Sequence, residues 1–177
     1  MNKLSPVQQK FILHWGEMGT KWGINRTVAQ IHALLFMSPK PLPAEEIANT
    51  LNVARSNVST SLKELQGWGI VKRVHVLDDS RDHFESMKEV WEMFRVVLDE
   101  RKKREIDPTL AVLRECIEQA EKDKDTDEYT EQRLRDLHGC FQMTTAWYGQ
   151  IRLWPTGALN KFVKLGDKAK KLLGIGG

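Results

Sequence analysis

The stretch "NVARSNVSTSLKELQGWGIVKR", residues 52–73, places Val58, Leu62 and Leu65 at the spacing of one helix face. Its other face carries Arg55, Ser56, Asn57, Ser59, Thr60, Ser61 and Lys63 toward water. Serine and threonine are poor helix formers because their hydroxyls compete for backbone hydrogen bonds. A run of them flanked by a guanidinium and a carboxamide therefore calls for a reason other than helix stability.

The segments around it supply the context. Val7, Phe11, Trp15, Met18 and Trp22 form a helical stripe, with Ser5 as N-cap, Pro6 at the first helical position and Gly23 as the stop. A second helix is expected over residues 26–37, with Val28, Ile31, Leu34 and Leu35 inward. "SPKPLP" then forbids helix and makes a connector. Residues 44–51 read as a third, short helix, buried through Ile47, Ala48 and Leu51. Ala54 stands where a capping side chain is usual before the fourth helix, so the cap is expected from Asn52. Beyond "GWGIV", the residues Val71, Val74 and Val76 fit an extended strand, residues 78–82 a turn, and "DHFES" a returning strand.

Helix, connector, helix and hairpin make the layout of a winged helix-turn-helix, whose second helix enters the DNA major groove. Such a helix approaches phosphates closely, which suits small hydroxyls as donors. Longer side chains then reach base edges, arginine matching guanine O6/N7 and asparagine adenine N6/N7. An ordinary polar helix face is the plainer alternative; the hairpin tips the balance.

Here the sequence resembles the MarR family of winged-helix transcription regulators, and within it the GbsR-like branch. The matching residues are "WGINRTVAQIHALLFMSPKPLPAEEIANTLNVARSNVSTSLKELQGWGIVKRV", then "DSRDHFES" before "VWEMF". The resemblance covers roughly the first hundred residues well and the later helices by layout alone. It implies that residues 55–63 are the recognition helix, that residues 71–86 are the wing, and that Arg81 is the wing-tip arginine at the minor groove. A narrow minor groove concentrates negative potential, which favours an arginine there. Asp78 and Asp79 place acid nearby, either weakening that contact or holding Arg81 by an ion pair.

In the second half, Met87, Val90, Trp91, Phe94, Val97 and Leu98 mark a long helix that Ile106 closes. Asp107-Pro108 restarts the chain as N-cap and first turn, and Leu110, Leu113, Ile117 and Ala120 mark the next helix. A long helix with two apolar stripes follows: Leu134, Leu137, Phe141 and Tyr148 on one, and Cys140, Met143, Trp147, Ile151 and Trp154 on the other. Pro155 stops it, and residues 157–173 read as a basic amphipathic helix. The resemblance assigns this half to dimerisation and effector binding. Trp91, Trp147, Tyr148 and Trp154 are candidates for an aromatic cage around a quaternary ammonium compound. GbsR-like regulators include ones linked to choline and glycine betaine supply. Core or dimer interface is the plainer role for these aromatics.

The bulk numbers set limits. The chain has 177 residues, 41% hydrophobic and 29% charged, enough for one domain or one with an appendage. No run is long and apolar enough for a bilayer, and the start lacks a secretion signal. Two cysteines, Cys116 and Cys140, are too few for a disulfide framework and read as structural thiols rather than a redox pair. A cytoplasmic protein without a membrane partner is expected. The net charge is only +3, yet Arg55, Lys63, Lys72 and Arg73 face a single acid, Glu64, between residues 50 and 77. Glycine-rich phosphate loops, H-E-x-x-H and CxxC pairs are lacking. The five histidines are scattered, and His138 and Cys140, two apart on a helix, point about 200° apart. No catalytic residue, metal or cofactor is expected.

The whole is therefore expected to be mostly α: residues 1–22 a dimerisation helix, 23–86 the winged helix-turn-helix, and 87–177 a helical dimerisation and effector region. The expected function is sequence-specific binding of double-stranded DNA as a homodimer, repressing transcription. Arg55, Asn57, Ser59 and Thr60, with Ser56 beside them, would face the major groove. Lys63, Lys72 and Arg73 would meet phosphates, and Arg81 the minor groove. The alternative is a protein-interaction adaptor that keeps the winged fold without specific DNA binding.

Overall fold

A computed structural model describes residues 4–123 and 125–165. Helix α1 (Pro6–Lys21) begins with a reciprocal cap: the Gln8 N–H donates to Ser5 Oγ at 3.3 Å, and the Ser5 N–H donates to Gln8 Oε1 at 2.9 Å. Near its end, a Cβ built on Gly19 would lie 2.6 Å from the Ala29 Cβ, so only glycine lets α1 come this close to the next helix. Gly23, at φ +74°, turns the chain back. Helix α2 (Arg26–Met37) then starts under a cap in which Asn25 Oδ1 accepts from the Thr27 N–H at 2.8 Å.

Helices α3 (Ala44–Leu51) and α4 (Arg55–Gly67) pack on each other and on α2. Asn52 takes the left-handed conformation, φ 52°, that an asparagine tolerates better than most residues, and it ends α3. It does not cap α4, contrary to expectation: Ala54 holds that place in an extended conformation, without a side-chain hydrogen bond. Ser61 is likewise corrected. It is 4% exposed, because three residues after Val58 it falls on the inner face of α4.

The wing is β2 (Val71–Val76) paired antiparallel with β3 (Asp79–Ser86). Its turn is only Leu77 and Asp78, tighter than the expected 78–82, and Asp78 sits at φ +64°. A third strand, β1 (Leu42–Pro43), pairs with β3 on the side away from β2. The sequence alone reads as a plain connector here. Proline tolerates a place at the edge of a sheet, where an N–H is not required.

Ile31, Leu35, Ile47, Val58 and Leu65 are the largest fully buried side chains, and they join α2, α3 and α4. Lys88, just past the wing, donates to the carbonyl oxygens of Leu35, Phe36 and Ser38 at 2.8, 3.0 and 2.8 Å. Its ammonium thus supplies donors to carbonyls in the last turn of α2 and at its C-cap, where Leu35 also accepts from the Ser38 N–H.

The chain divides into two compact units, Met1–Val97 and Leu98–Gly177. Helix α5 (Val90–Arg101) leads through a π-helical turn, Lys102–Ile106, straight into α6 (Asp107–Ala120). The expected restart at Asp107 is absent, since Asp107 is itself helical at φ −61°, ψ −43°. Pro108 has no N–H to donate, and the wider turn before it shifts the hydrogen-bond register so that the helix continues. In the second unit α6 packs on α7 (Glu128–Ile151), which starts under an Asp127 cap. Trp154 lies beyond the end of α7 rather than on its stripe, and α8 (Thr156–Lys164) follows. The rest of the expected basic helix, past residue 165, lies outside the described residues. Tyr148 donates to Asp99 Oδ1 at 2.9 Å, and Arg152 also bonds to Asp99. Burial pushes the Tyr148 hydroxyl up to about 12, with the Asp99 carboxylate adding to the shift.

His32 on α2 borders a cavity of about 50 Å³ lined by Trp15, Trp22, Trp68 and Met93. Its Nε2 has no hydrogen-bond partner among the described residues. Burial, reinforced by the Lys88 ammonium, pushes its pKa down from 6.5 to about 4. Between those values the unfolded chain binds a proton that the folded chain refuses, so stability falls as pH drops through that window. Urea unfolding from pH 7 to pH 4 should show a loss of about 3 kcal/mol that is absent in His32→Phe. Equal losses in both proteins would place the titration elsewhere.

Candidate nucleic-acid interface

Helix α4 buries Val58, Ser61, Leu62 and Leu65 and leaves Arg55, Ser56, Asn57, Ser59, Thr60 and Lys63 exposed. The division follows from helical spacing: the inner residues meet α2 and α3, and the rest have nowhere to go but water. The cap at Ala54 adds to this. Without a side-chain acceptor, the first-turn N–H groups of α4 remain available to an outside anion.

Nearly every candidate cation has an acid beside it. Arg55 Nη2 contacts Glu45 Oε1 on α3. Lys72 lies directly across the hairpin from Glu85, 3.0 Å away, and Arg73 is 3.1 Å from Asp82. Arg81 is chelated by Asp79: Nε to Oδ1 at 2.9 Å, and Nη2 to Oδ2 at 2.6 Å. The Arg81 backbone N–H also donates to Asp79 Oδ1, at 3.0 Å. These bonds hold the Asp79 carboxyl well below the usual carboxylate range, the Arg81 side chain contributing most. His83 Nε2 lies 3.3 Å from the same carboxylate. Of the two roles open to this acid, the ion pair is the one observed. Lys63 is exposed and enters no ion pair among the described residues.

Sequence reasoning does not single out the paired acids Glu45, Asp82 and Glu85. Only the hairpin register reveals that Glu85 faces Lys72. Counted from residue 44 to 86, five lysines and arginines meet seven carboxylates. Exposed pairs of this kind contribute about 0–1 kcal/mol each, so they orient side chains more than they hold the fold.

This geometry of two packed helices and a three-stranded wing coincides with a family match over residues 22–82. That segment, about a third of the chain, matches the model of the MarR family. A crystal structure described as that of a transcriptional regulator shares the fold. Its TM-score is 0.55 at 19% identity, covering 90% of this chain and 99% of that one. Two further structures are more distant. A point mutant of Lactococcus lactis ZitR has a TM-score of 0.35 at 17% identity over 68% of this chain and 75% of its own. A MarR-family regulator from Rhodococcus sp. RHA1 has 0.37 at 12% identity, over 93% and 85%. No curated protein matches the chain. No helix among the described residues is long and apolar enough to cross a membrane.

Beyond the matched segment, Trp91 belongs to the first unit, and Trp147, Tyr148 and Trp154 to the second. Trp147 and Tyr148 line a cavity of about 610 Å³ within the second unit, with Leu98, Ile106, Leu137, Cys140 and Phe141. Arg101, Lys102 and Glu105 also border it. Trp91 instead stands edge-on to Phe94, with ring centroids 6.2 Å apart, and Trp154 edge-on to Phe162 at 5.3 Å.

Proposed function

We propose that this MarR-type chain is a GbsR-like repressor that binds one preferred DNA sequence as a homodimer. The observation that carries the proposal is the exposed face of α4, standing beside a wing whose tip presents a fixed arginine. In this reading Arg55, Asn57, Ser59 and Thr60 address the major groove, with Ser56 donating at its edge. Lys63, Lys72 and Arg73 take phosphates, and Arg81 enters the minor groove. Arg81 arrives already oriented by Asp79, which lowers the entropy lost on insertion. A second reading, a winged adaptor for protein partners, draws on the surplus of carboxylates in the motif. Duplex binding that is weak and indifferent to sequence would favour it.

Dimerisation is assigned to α1 and to the helices after residue 87. None of the 24 residues of α7 is buried, while Met143 is 70% and Trp147 51% exposed. A helix of this length with so much apolar surface in water is a natural face for a second copy. The effector assigned is a quaternary ammonium compound in the cavity bordered by Trp147 and Tyr148. A volume of about 610 Å³ is within the usual range for small ligands.

Three measurements test these assignments. Arg55→Ala should cost about 1–3 kcal/mol against a selected duplex and much less against a scrambled one, flattening the preference. Lys72→Ala should weaken both alike and lower the salt slope by about one. Equal weakening of both duplexes by Arg55→Ala would refute the recognition-helix assignment at that residue. Sedimentation should find a dimer at micromolar concentration, with or without DNA; a monomer under both conditions rules the homodimer out. Choline should quench tryptophan fluorescence and shift DNA affinity, and by linkage DNA must shift choline affinity by the same factor. If neither changes, the effector assignment is wrong.

A further inference from the structure

We infer that Glu45 is a specificity-determining positioning residue, whose carboxylate holds the Arg55 guanidinium where it reads a base and away from the phosphates. The inference rests on the proposed reading of Arg55 as a base contact.

Arg55 is the first residue of α4, and its side chain is 74% exposed. A long cation so placed would swing to the nearest phosphate, which carries no sequence information. Glu45 comes from a different helix, at the start of α3, where an acid is favoured by the helix dipole. Packing of α3 on α4 therefore fixes the backbone that presents the carboxylate before DNA arrives. Its contact is to Nη2 alone among the described hydrogen bonds, and a guanidinium offers five N–H groups. The remaining donors are free to meet guanine O6 and N7, with the opposite edge tied. Glu45 and its neighbour Glu46 also lie within electrostatic reach of Arg81, where both help to hold the charged form. One acidic turn of α3 thus acts on the arginine of each groove.

A carboxylate beside DNA has two separable effects. It repels every phosphate, which lowers affinity for any duplex. Acting through Arg55, it also favours the correct duplex over the wrong one. A double-mutant cycle distinguishes the two. The probes are a duplex selected from a randomised library by the full-length wild-type chain and a scrambled duplex of equal composition. Glu45→Gln keeps the shape and removes the charge. It should raise affinity for scrambled duplex about fivefold near physiological salt and steepen the salt slope by about one. It should also reduce the ratio of selected to scrambled affinity about fivefold. In the Arg55→Ala background the same substitution should leave that ratio unchanged. Thermal melting checks that the exposed substitutions leave the fold intact.

If Glu45→Gln leaves the ratio intact while Arg55→Ala flattens it, the positioning role is wrong and the base contact stands. If Glu45→Gln lowers the ratio equally with and without Arg55, the acid acts on DNA directly, and the inference is again overturned. If Arg55→Ala itself leaves the ratio intact, the base contact falls and the positioning role falls with it.

Discussion

Seven of the twelve residues of α2 are buried, from Val28 to Leu35, and α1, α3, α4 and β3 all dock on this one helix. A helix so dry on most sides must be surrounded, and each neighbour contributes an apolar stripe to the same small core. The orientation of α4 follows directly. Once Val58, Leu62 and Leu65 are committed to α2 and α3, Arg55, Asn57, Ser59, Thr60 and Lys63 have only the outside left. The polar face that addresses DNA in the proposed reading is thus fixed from behind, by residues that never approach the nucleic acid.

Local signals were legible in the sequence. The Ser5 cap, the helical periodicity of α1 to α4 and the stop at Gly23 each depend on residues within a turn or two of one another, whereas the answering bond from Gln8 was not read. What escaped depends on distant partners. Strand β1 exists only because β3 lies alongside it, and two residues carry no periodicity of their own. Asn52 looked like a cap for the helix ahead of it and instead ends the helix behind it; both roles suit its short amide. Pro108 looked like a restart, but one π-helical turn absorbs its missing donor. The candidate cations could be chosen by type and position. Their acidic partners could not, since Glu45 reaches Arg55 from another helix, and Glu85 meets Lys72 only through the hairpin register.

These partners change the electrostatic character of the winged motif. Net positive charge, the usual mark of nucleic-acid binders, is missing between residues 44 and 86. In the proposed reading Lys72 and Arg73 each exchange an intramolecular carboxylate for a phosphate oxygen, and the carboxylate left behind then draws a counterion of its own. Such exchange takes away much of the sequence-independent attraction on which non-specific binding depends. Shape and directed hydrogen bonds therefore carry a larger share of any affinity than they would on a uniformly basic surface.

The Lys88 ammonium has a consequence for how the motif comes apart. Its hydrogen bonds to Leu35, Phe36 and Ser38 join positions 53, 52 and 50 residues distant in the chain. They close a loop that contains α3, α4 and the whole hairpin. Closing a loop of that length carries an entropic cost that grows only slowly with its size, and the cation adds to the packing of α2 on α3, α4 and β3 in meeting it. With the clasp shut, the two ends of the loop are tied to each other as well as to the core. Opening becomes a shared event, in which the last turn of α2 and the base of the wing lose protection against hydrogen exchange together.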